Sequence, residues 1–194
     1  MYVITGCSSG LGFEISKYLL NDKKHVLGLS RSLGNAHKFK NNNKFLHYPI
    51  DLSIEQNYSE LDPFLKKRNY PEITLVLNAA KFQFEGEHLA DSQITKDIFN
   101  INYFSAITLV KYFLSRNLKR VMFINSIAGL SSQSGQAQYS ASKHALQSYS
   151  EVLAKYSVGK NFDVMSINPG GMHTELWENS DFLPKNIVES FLKP

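Results

Sequence analysis

The chain carries one cysteine, Cys7, in 194 residues. A lone thiol excludes an internal disulfide framework and any cysteine-built zinc cage. Proline is sparse, at six residues. There is no internal repeat, and the only low-complexity tract is an Asn/Lys patch at 40–44 that reads as a loop. The formal net charge is only +4, spread with no run of five like charges, so nucleic acid is not an expected partner. No apolar run approaches the ~18–20 residues of a membrane span, and the first structural motif begins at once, without a secretory leader. The expected compartment is the cytoplasm, with no membrane partner. The apolar share of 43% and charged share of 20% are those of an ordinary globular chain and not of a disordered one. The length predicts a single domain over residues 1–194.

Short apolar runs alternate with longer helical patterns. Candidate strands are Tyr2–Thr5, His25–Leu29, Lys44–Tyr48, Ile73–Leu77, Arg120–Asn125 and Asp163–Ile167. They are apolar at consecutive positions, like strands buried on both faces of a parallel sheet. Leu11–Leu20 reads as the first helix. Residues 94–116 carry Ile94, Ile98, Ile101, Leu109 and Phe113 at helical spacing, and residues 139–157 carry Ala145, Tyr149, Val152 and Tyr156 on one stripe. Ser53 to Lys67 reads as a helix with Ser53 as its N-cap, and only a weak helical pattern joins the second and third strands. This alternation predicts an α/β fold: a Rossmann-like, doubly wound parallel sheet of about six strands, with helices on both faces and right-handed crossovers. Ligands of such sheets bind beyond the carboxyl ends of the strands, where the strand order reverses.

Between the first strand and first helix lies Thr5-Gly6-Cys7-Ser8-Ser9-Gly10-Leu11-Gly12. Positions without a Cβ suit a turn where backbone approaches a ligand or a helix approaches a strand. The helix N-terminus then offers unpaired N–H groups to a pyrophosphate. The spacing is neither G-x-G-x-x-G nor a Walker A loop, and a plain glycine turn is the ordinary alternative. Cys7 reads as a small side chain in the turn, a reactive thiol being the other reading. The second strand ends in Leu29-Ser30-Arg31-Ser32. It has no carboxylate for the ribose 2′-OH of NAD, whereas Arg31 can pair with a 2′-phosphate and so favours NADP, or can be a solvated surface residue. Asp51 can meet the adenine side or cap the segment that follows.

Asn78-Ala79-Ala80 follows the fourth strand and Ser126 the fifth. Tyr139-Ser140-Ala141-Ser142-Lys143 and Asn168-Pro169-Gly170 through Thr174 come next. With the glycine loop, this ordered set resembles the short-chain dehydrogenase/reductase family of the classical type, over residues 2 to about 174. The resemblance implies hydride transfer between NADP(H), with NAD(H) as the alternative, and a carbonyl or alcohol carbon of a small substrate. It makes Tyr139 the general acid/base. Lys143, one helical turn on, would lower the Tyr139 pKa and hold the nicotinamide ribose. Ser126 would hydrogen-bond the substrate oxygen, and Asn102 would support a water-linked proton relay. The cofactor would be held by Thr5, Gly6, Ser8, Ser9, Gly10, Leu11 and Gly12 of the loop. Arg31, Asp51 and Leu52 would serve the adenosine, Asn78, Ala79 and Ala80 the middle, and Pro169, Gly170 and Thr174 the nicotinamide. Taken singly these residues have ordinary readings: a Tyr–Lys pair on a solvated helix, a core asparagine, a strand-end serine. Ser126 lacks the G-x-S-x-G elbow of a hydrolase nucleophile. The six histidines show no metal-binding spacing, and neither His144 nor His173, nearest the site, is expected to bind metal.

The sequence departs from the family in three places. Leu77-Asn78-Ala79-Ala80 stands where Asn-Asn-Ala-Gly is usual, which removes a polar group and adds a methyl near the cofactor. Only twenty residues follow Thr174, so residues 175–194 are expected to hold a shortened lid (Glu175–Asp181, with Trp177) and one helix (Leu183–Leu192). The sixth strand would then be an edge. The usual tetramer contacts are not expected, and a homodimer through residues 94–116 and 139–157 is the alternative. Phe82, Phe84 and Gln133–Gln138 would border the substrate. The rival to an enzyme is a non-catalytic NADP-binding sensor or scaffold.

Overall fold

The computed structural model describes residues 1–54, 58–66, 70–86, 90–172, 174 and 176. Among them, six parallel strands form one sheet: β1 (Tyr2–Thr5), β2 (Val26–Ser30), β3 (Phe45–Pro49), β4 (Ile73–Leu77), β5 (Leu118–Ile124) and β6 (Asp163–Ile167). Their order is β3-β2-β1-β4-β5-β6. The chain runs outward from β1 to β3, then returns to the other side of β1, so the order reverses between β1 and β4.

Alternate residues of each strand serve opposite faces. Val3, Leu75, Leu77, Val121 and Phe123 enter one core with Leu109, Phe113, Leu146 and Leu153. Ile4, Val76 and Ile124 enter the other with Phe13, Leu19 and Leu20. The first face is covered by α2 (Asp62–Lys66), α4 (Ser105–Phe113) and α5 (Ala137–Ser157), and the second by α1 (Gly10–Asn21) and a 3₁₀ turn at Gly34–Phe39. That turn replaces the weak helical pattern between the second and third strands. Among the described residues, no helix is long and apolar enough to cross a membrane.

Three helical expectations are corrected. Residues 94–116 are not one α-helix. Asp91 caps α3 (Ser92–Phe99) by accepting from the N–H groups of Gln93 and Ile94, both at 2.8 Å. A π-turn follows at Asn100–Phe104 before α4 begins. Such an inserted residue marks a place where side-chain demands override the i→i−4 ladder, and the buried Asn102 lies within it. Secondly, Ser53 does not cap a helix: its N–H and Oγ donate to Asp51 Oδ1 at 2.9 and 2.7 Å. Among the described residues, helical structure follows at a 3₁₀ turn, Tyr58–Leu61, ahead of α2. Thirdly, the stripe on α5 is turned. Val152 and Tyr156 are 62% and 53% exposed, while Tyr139, Ser142, Lys143, Leu146, Ser150 and Leu153 face inward. Of these, Tyr139 and Lys143 border a cavity and Ser142 accepts from Asn102, while Tyr149 of the expected stripe packs against the core. β6 is the last strand among the described residues, with Met165 and Ile167 partly exposed. His173, the lid at 175–181 with Trp177, and the helix at 183–192 lie outside the described residues, apart from Leu176.

Cys7 is fully buried, and burial pushes its thiol pKa up, so it is a packing residue. A Cβ on Gly28 of β2 would lie 2.4 Å from Cys7 Sγ and 3.1 Å from its Cβ. Gly28→Ala should therefore cost about 1–3 kcal/mol of stability through overpacking. Adding Cys7→Ala should recover part of that loss. Urea unfolding of the two single variants and the double variant measures the coupling, and strict additivity would refute the contact.

Candidate active site

Side chains from both halves of the sheet line a cavity of about 670 Å³ at the carboxyl ends of the strands. The glycine loop forms its floor. Ser9, the N-cap of α1, has extended backbone and makes no side-chain cap bond, so the first amides of α1 face the loop without a protein cap. Gly6 and Gly10 have φ of +69° and +51°, a backbone that side chains rarely adopt. Gly12 lets α1 press on the turn: a Cβ there would lie 2.2 Å from the Gly6 carbonyl oxygen and 2.5 Å from Asn78 Nδ2.

The crevice is braced from β1 and β4. Thr5 Oγ1 accepts from the N–H groups of Asn78 and Ala79, both at 2.9 Å. Asn78 Nδ2 donates back to the carbonyls of Thr5 (3.0 Å) and Gly6 (3.3 Å). Leu77, where the resembled motif has a polar residue, is buried in the apolar core.

Of the residues assigned from the sequence, Gly6, Ser8, Ser9, Gly10 and Leu11 line the cavity. So do Arg31, Asp51 and Leu52 at the β2–β3 end, Asn78, Ala79 and Ala80 after β4, and Pro169, Gly170 and Thr174 after β6. Thr5, Gly12 and Asn102 stand behind it. Asp51 both faces the cavity and caps: its bonds from Ser53, with a smaller contribution from Arg31, lower its pKa. Lys81 and Asp97, which the sequence reading did not single out, also line the cavity and form an ion pair at 2.7 Å.

Ser126, Tyr139 and Lys143 share one wall. Ser126 Oγ accepts from the Ala128 N–H at 3.1 Å. The Tyr139 ring meets the edge of Phe82, with centroids 5.1 Å apart, and Ala128, Phe84 and Leu176 complete a small apolar cluster around it. Lys143 Nζ lies 5.7 Å from the Tyr139 ring centroid and donates to the Ile124 carbonyl at 3.1 Å. Asn102 acts from behind. Its Oδ1 accepts from Lys81 N–H at 2.7 Å, and its Nδ2 donates to the Lys81 carbonyl and to Ser142 Oγ, both at 3.0 Å. Ser142 Oγ in turn donates to the Tyr139 carbonyl at 2.7 Å.

The electrostatics correct one expectation. Lys143 does not bring the Tyr139 phenol down. Burial pushes that pKa up to about 12, with a hydrogen bond to Ser126 acting in the other direction, and burial lowers Lys143 to about 8. Both shifts favour the neutral form, with burial the largest cause of each. A fully buried ammonium with three N–H donors and one backbone acceptor, lining a cavity, suits a polyhydroxyl ligand such as a ribose. Together with a glycine cradle that a Cβ would fill, the residues fit a dinucleotide.

Below about pH 8 the folded and unfolded states both carry protonated Lys143, and folding bears the full desolvation cost. Between about 8 and the ordinary 10.5 the unfolded state binds more protons, so stability climbs with pH. Lys143→Met should lose this climb. The wild-type minus variant difference in urea-derived stability should grow from pH 8 to about pH 9.5, and a flat difference would mean an ordinary, solvated lysine.

Comparison with known proteins agrees with this geometry. A family model of short chain dehydrogenase matches residues 1–182. VdlC of Helicobacter pylori, a probable short-chain type dehydrogenase/reductase, is 31% identical over 191 residues, covering 94% of this chain and 68% of that protein. A Drosophila melanogaster dehydrogenase/reductase SDR family protein 7-like is 26% identical, covering 92% of this chain and 59% of that protein. Among solved structures, 4-hydroxyisoleucine dehydrogenase complexed with NADH matches with a TM-score of 0.84 at 26% identity, over 97% of this chain and 79% of that one. The closed form of serine dehydrogenase complexed with NADP+ matches at 0.83 and 19% identity, over 98% and 82%, a likeness of fold alone. With its switch-point crevice, its glycine cradle and a family match over nearly its whole length, the chain belongs to the short-chain dehydrogenase family of oxidoreductases.

Proposed function

We propose that the chain transfers hydride between NADP(H) and a carbonyl or alcohol carbon of a small substrate, with Tyr139 as the proton donor and acceptor. The observation that carries this reading is the convergence of Ser126, Tyr139 and Lys143 on one wall of the crevice beyond the glycine loop. A bound nicotinamide supplies or accepts the hydride. The protein's own work is to orient the reactants and support charge developing on the substrate oxygen. Tyr139, protonated at neutral pH with its pKa near 12, is in the form that gives a proton to a nascent alkoxide. Ser126 donates to the same oxygen. Lys143 holds the nicotinamide ribose, and Asn102 steadies the first turn of α5 through Ser142 and the loop after β4 through Lys81. A binding-only module would have no use for a buried phenol at the cavity wall.

The preference for NADP(H) rests on Arg31, which lines the adenosine end with no carboxylate at the end of β2. Structures similar in fold carry NADH in one case and NADP+ in another, so fold does not choose between them. The apolar cluster of Phe82, Phe84, Ala128 and Leu176 around Tyr139 supports a substrate with an apolar flank. Exposed Phe104, Leu114, Val152 and Tyr156 on α4, α5 and the segments beside them support a homodimer through residues 94–116 and 139–157.

Calorimetric titration should show NADPH binding about tenfold or more tightly than NADH, with Arg31→Ala removing most of the difference, as loss of a charge-assisted hydrogen bond does. Equal binding would remove Arg31 from the site. Tyr139→Phe should lower turnover of any carbonyl that the wild type reduces by roughly 10²–10⁴-fold while NADPH affinity stays within about twofold; surviving turnover would overturn the role of Tyr139. Val152→Glu should shift a dimer to monomer in sedimentation velocity, because it buries an unpaired charge, and an unchanged mass would place the interface elsewhere.

A further inference from the structure

The residues that carry Tyr139 lie in the first turn of α5, where a helix has four amides without intrahelical partners. The N-cap, Gln136, makes no side-chain cap bond. The partner comes from 53 residues away: the N–H of Gln138, immediately before Tyr139, donates to Glu85 Oε1 at 2.8 Å. Glu85 also grips the segment leading into α5, its own N–H donating to the Gly135 carbonyl at 2.7 Å. Its second carboxylate oxygen accepts from the Ala90 N–H at 3.4 Å.

The neighbours of Glu85 make the same junction. Gly135 has φ of +71°, and a Cβ there would lie 2.6 Å from the Phe84 ring. Phe84 therefore packs directly on the Gly135 backbone. Phe82 sets its ring against Tyr139 at an interplanar angle of 81°. One short segment after β4 thus supplies the ring beside the phenol, the ring beneath the α5 entrance and the carboxylate on its first turn.

We propose that Glu85 is a positioning residue for Tyr139: it caps α5 from the loop after β4 and so fixes the phenol against the substrate wall. A carboxylate suits a helix N-terminus, where it satisfies an open donor and complements the positive end of the dipole. Because the cap acts on the residue next to Tyr139, its loss frays the turn that holds the phenol and leaves the later turns of α5 in place. The inference rests on Tyr139 being the proton donor, and its test is independent of that reading.

The chain has ten tyrosines. With 3-fluorotyrosine incorporated, the ¹⁹F line of Tyr139 is identified by its absence in Tyr139→Phe and that of Tyr149, nearly three turns further along α5, by its absence in Tyr149→Phe. Glu85→Ala should move the Tyr139 line most of the way to the solvent-exposed position and leave the Tyr149 line unmoved. Glu85→Gln keeps an oxygen for the Gln138 N–H and should keep the Tyr139 line at its wild-type position. Should Glu85→Ala fail to fold, Glu85→Asp, one methylene too short to reach, should produce the same selective displacement. An unmoved Tyr139 line, Tyr139 and Tyr149 lines that move together, or Glu85→Gln behaving as Glu85→Ala each overturns the proposal. With a carbonyl that the wild type reduces, Glu85→Ala should lower kcat about tenfold, the effect of a small misplacement of a reacting group, with NADPH affinity retained. Full turnover in Tyr139→Phe would refute the role of Tyr139 and leave the ¹⁹F result standing, so the two failures are distinguishable.

Discussion

The junction of β1 and β4 is the constraint on which the rest of the structure depends. Strand order reverses there, and the two carboxyl ends must part to leave a crevice yet stay joined below it. Thr5 joins them with a single hydroxyl that accepts from two successive amides of the turn after β4. Asn78 closes the ring by donating to the glycine-loop carbonyls. The space left beside this ring is so small that a methyl group on Gly12 would overlap both the Gly6 carbonyl and Asn78. Close packing of this kind holds the start of α1 against the ends of β1 and β4.

The opposite wall is built on a different principle. Lys143, Asn102, Ser142 and Tyr139 are polar yet nearly inaccessible, and burial of such groups is unfavourable unless hydrogen bonds compensate. Asn102 uses both its donors and accepts one bond, on the Lys81 backbone and Ser142, and it lies within the π-turn. Lys143 is less fully compensated, with one backbone acceptor and a pKa drawn down by burial. The two arrangements differ in kind: a backbone cradle at one end of the crevice, and at the other a desolvated polar cluster where electrostatic effects are strong.

The sequence made the strands legible because each is a short apolar run between turn residues, and the six runs matched the sheet to within a few residues at their ends. The glycine loop was legible as a local turn, whereas the Tyr139–Lys143 pair stood out only through its resemblance to a family motif, since its spacing alone equally fits a solvated helix. The contacts that were not legible span long separations. Lys81 meets Asp97 from 16 residues away, Asn102 reaches Lys81 across 21 and Ser142 across 40, and Glu85 reaches α5 across 53. No periodicity encodes such pairs. The stripe expected on α5 was only partly right: Tyr149 packs against the core, whereas Val152 and Tyr156 are exposed and Tyr139 and Lys143 turn to the cavity.

What the sequence by itself determined is the alternation of strand and helix, the places where backbone had to pass without a Cβ, and the family to which the ordered motifs point. The first two follow from local sterics and from the two periodicities of apolar burial, and the third from the resemblance of the ordered motifs to a known family. Only the tertiary structure decided the protonation tendencies of Tyr139 and Lys143. Spacing put a cation one turn from a phenol and suggested a lowered pKa, but folding buried both groups. Desolvation depends on everything packed around a charge, and that sum exists only once β5, α5 and the loop after β4 have come together.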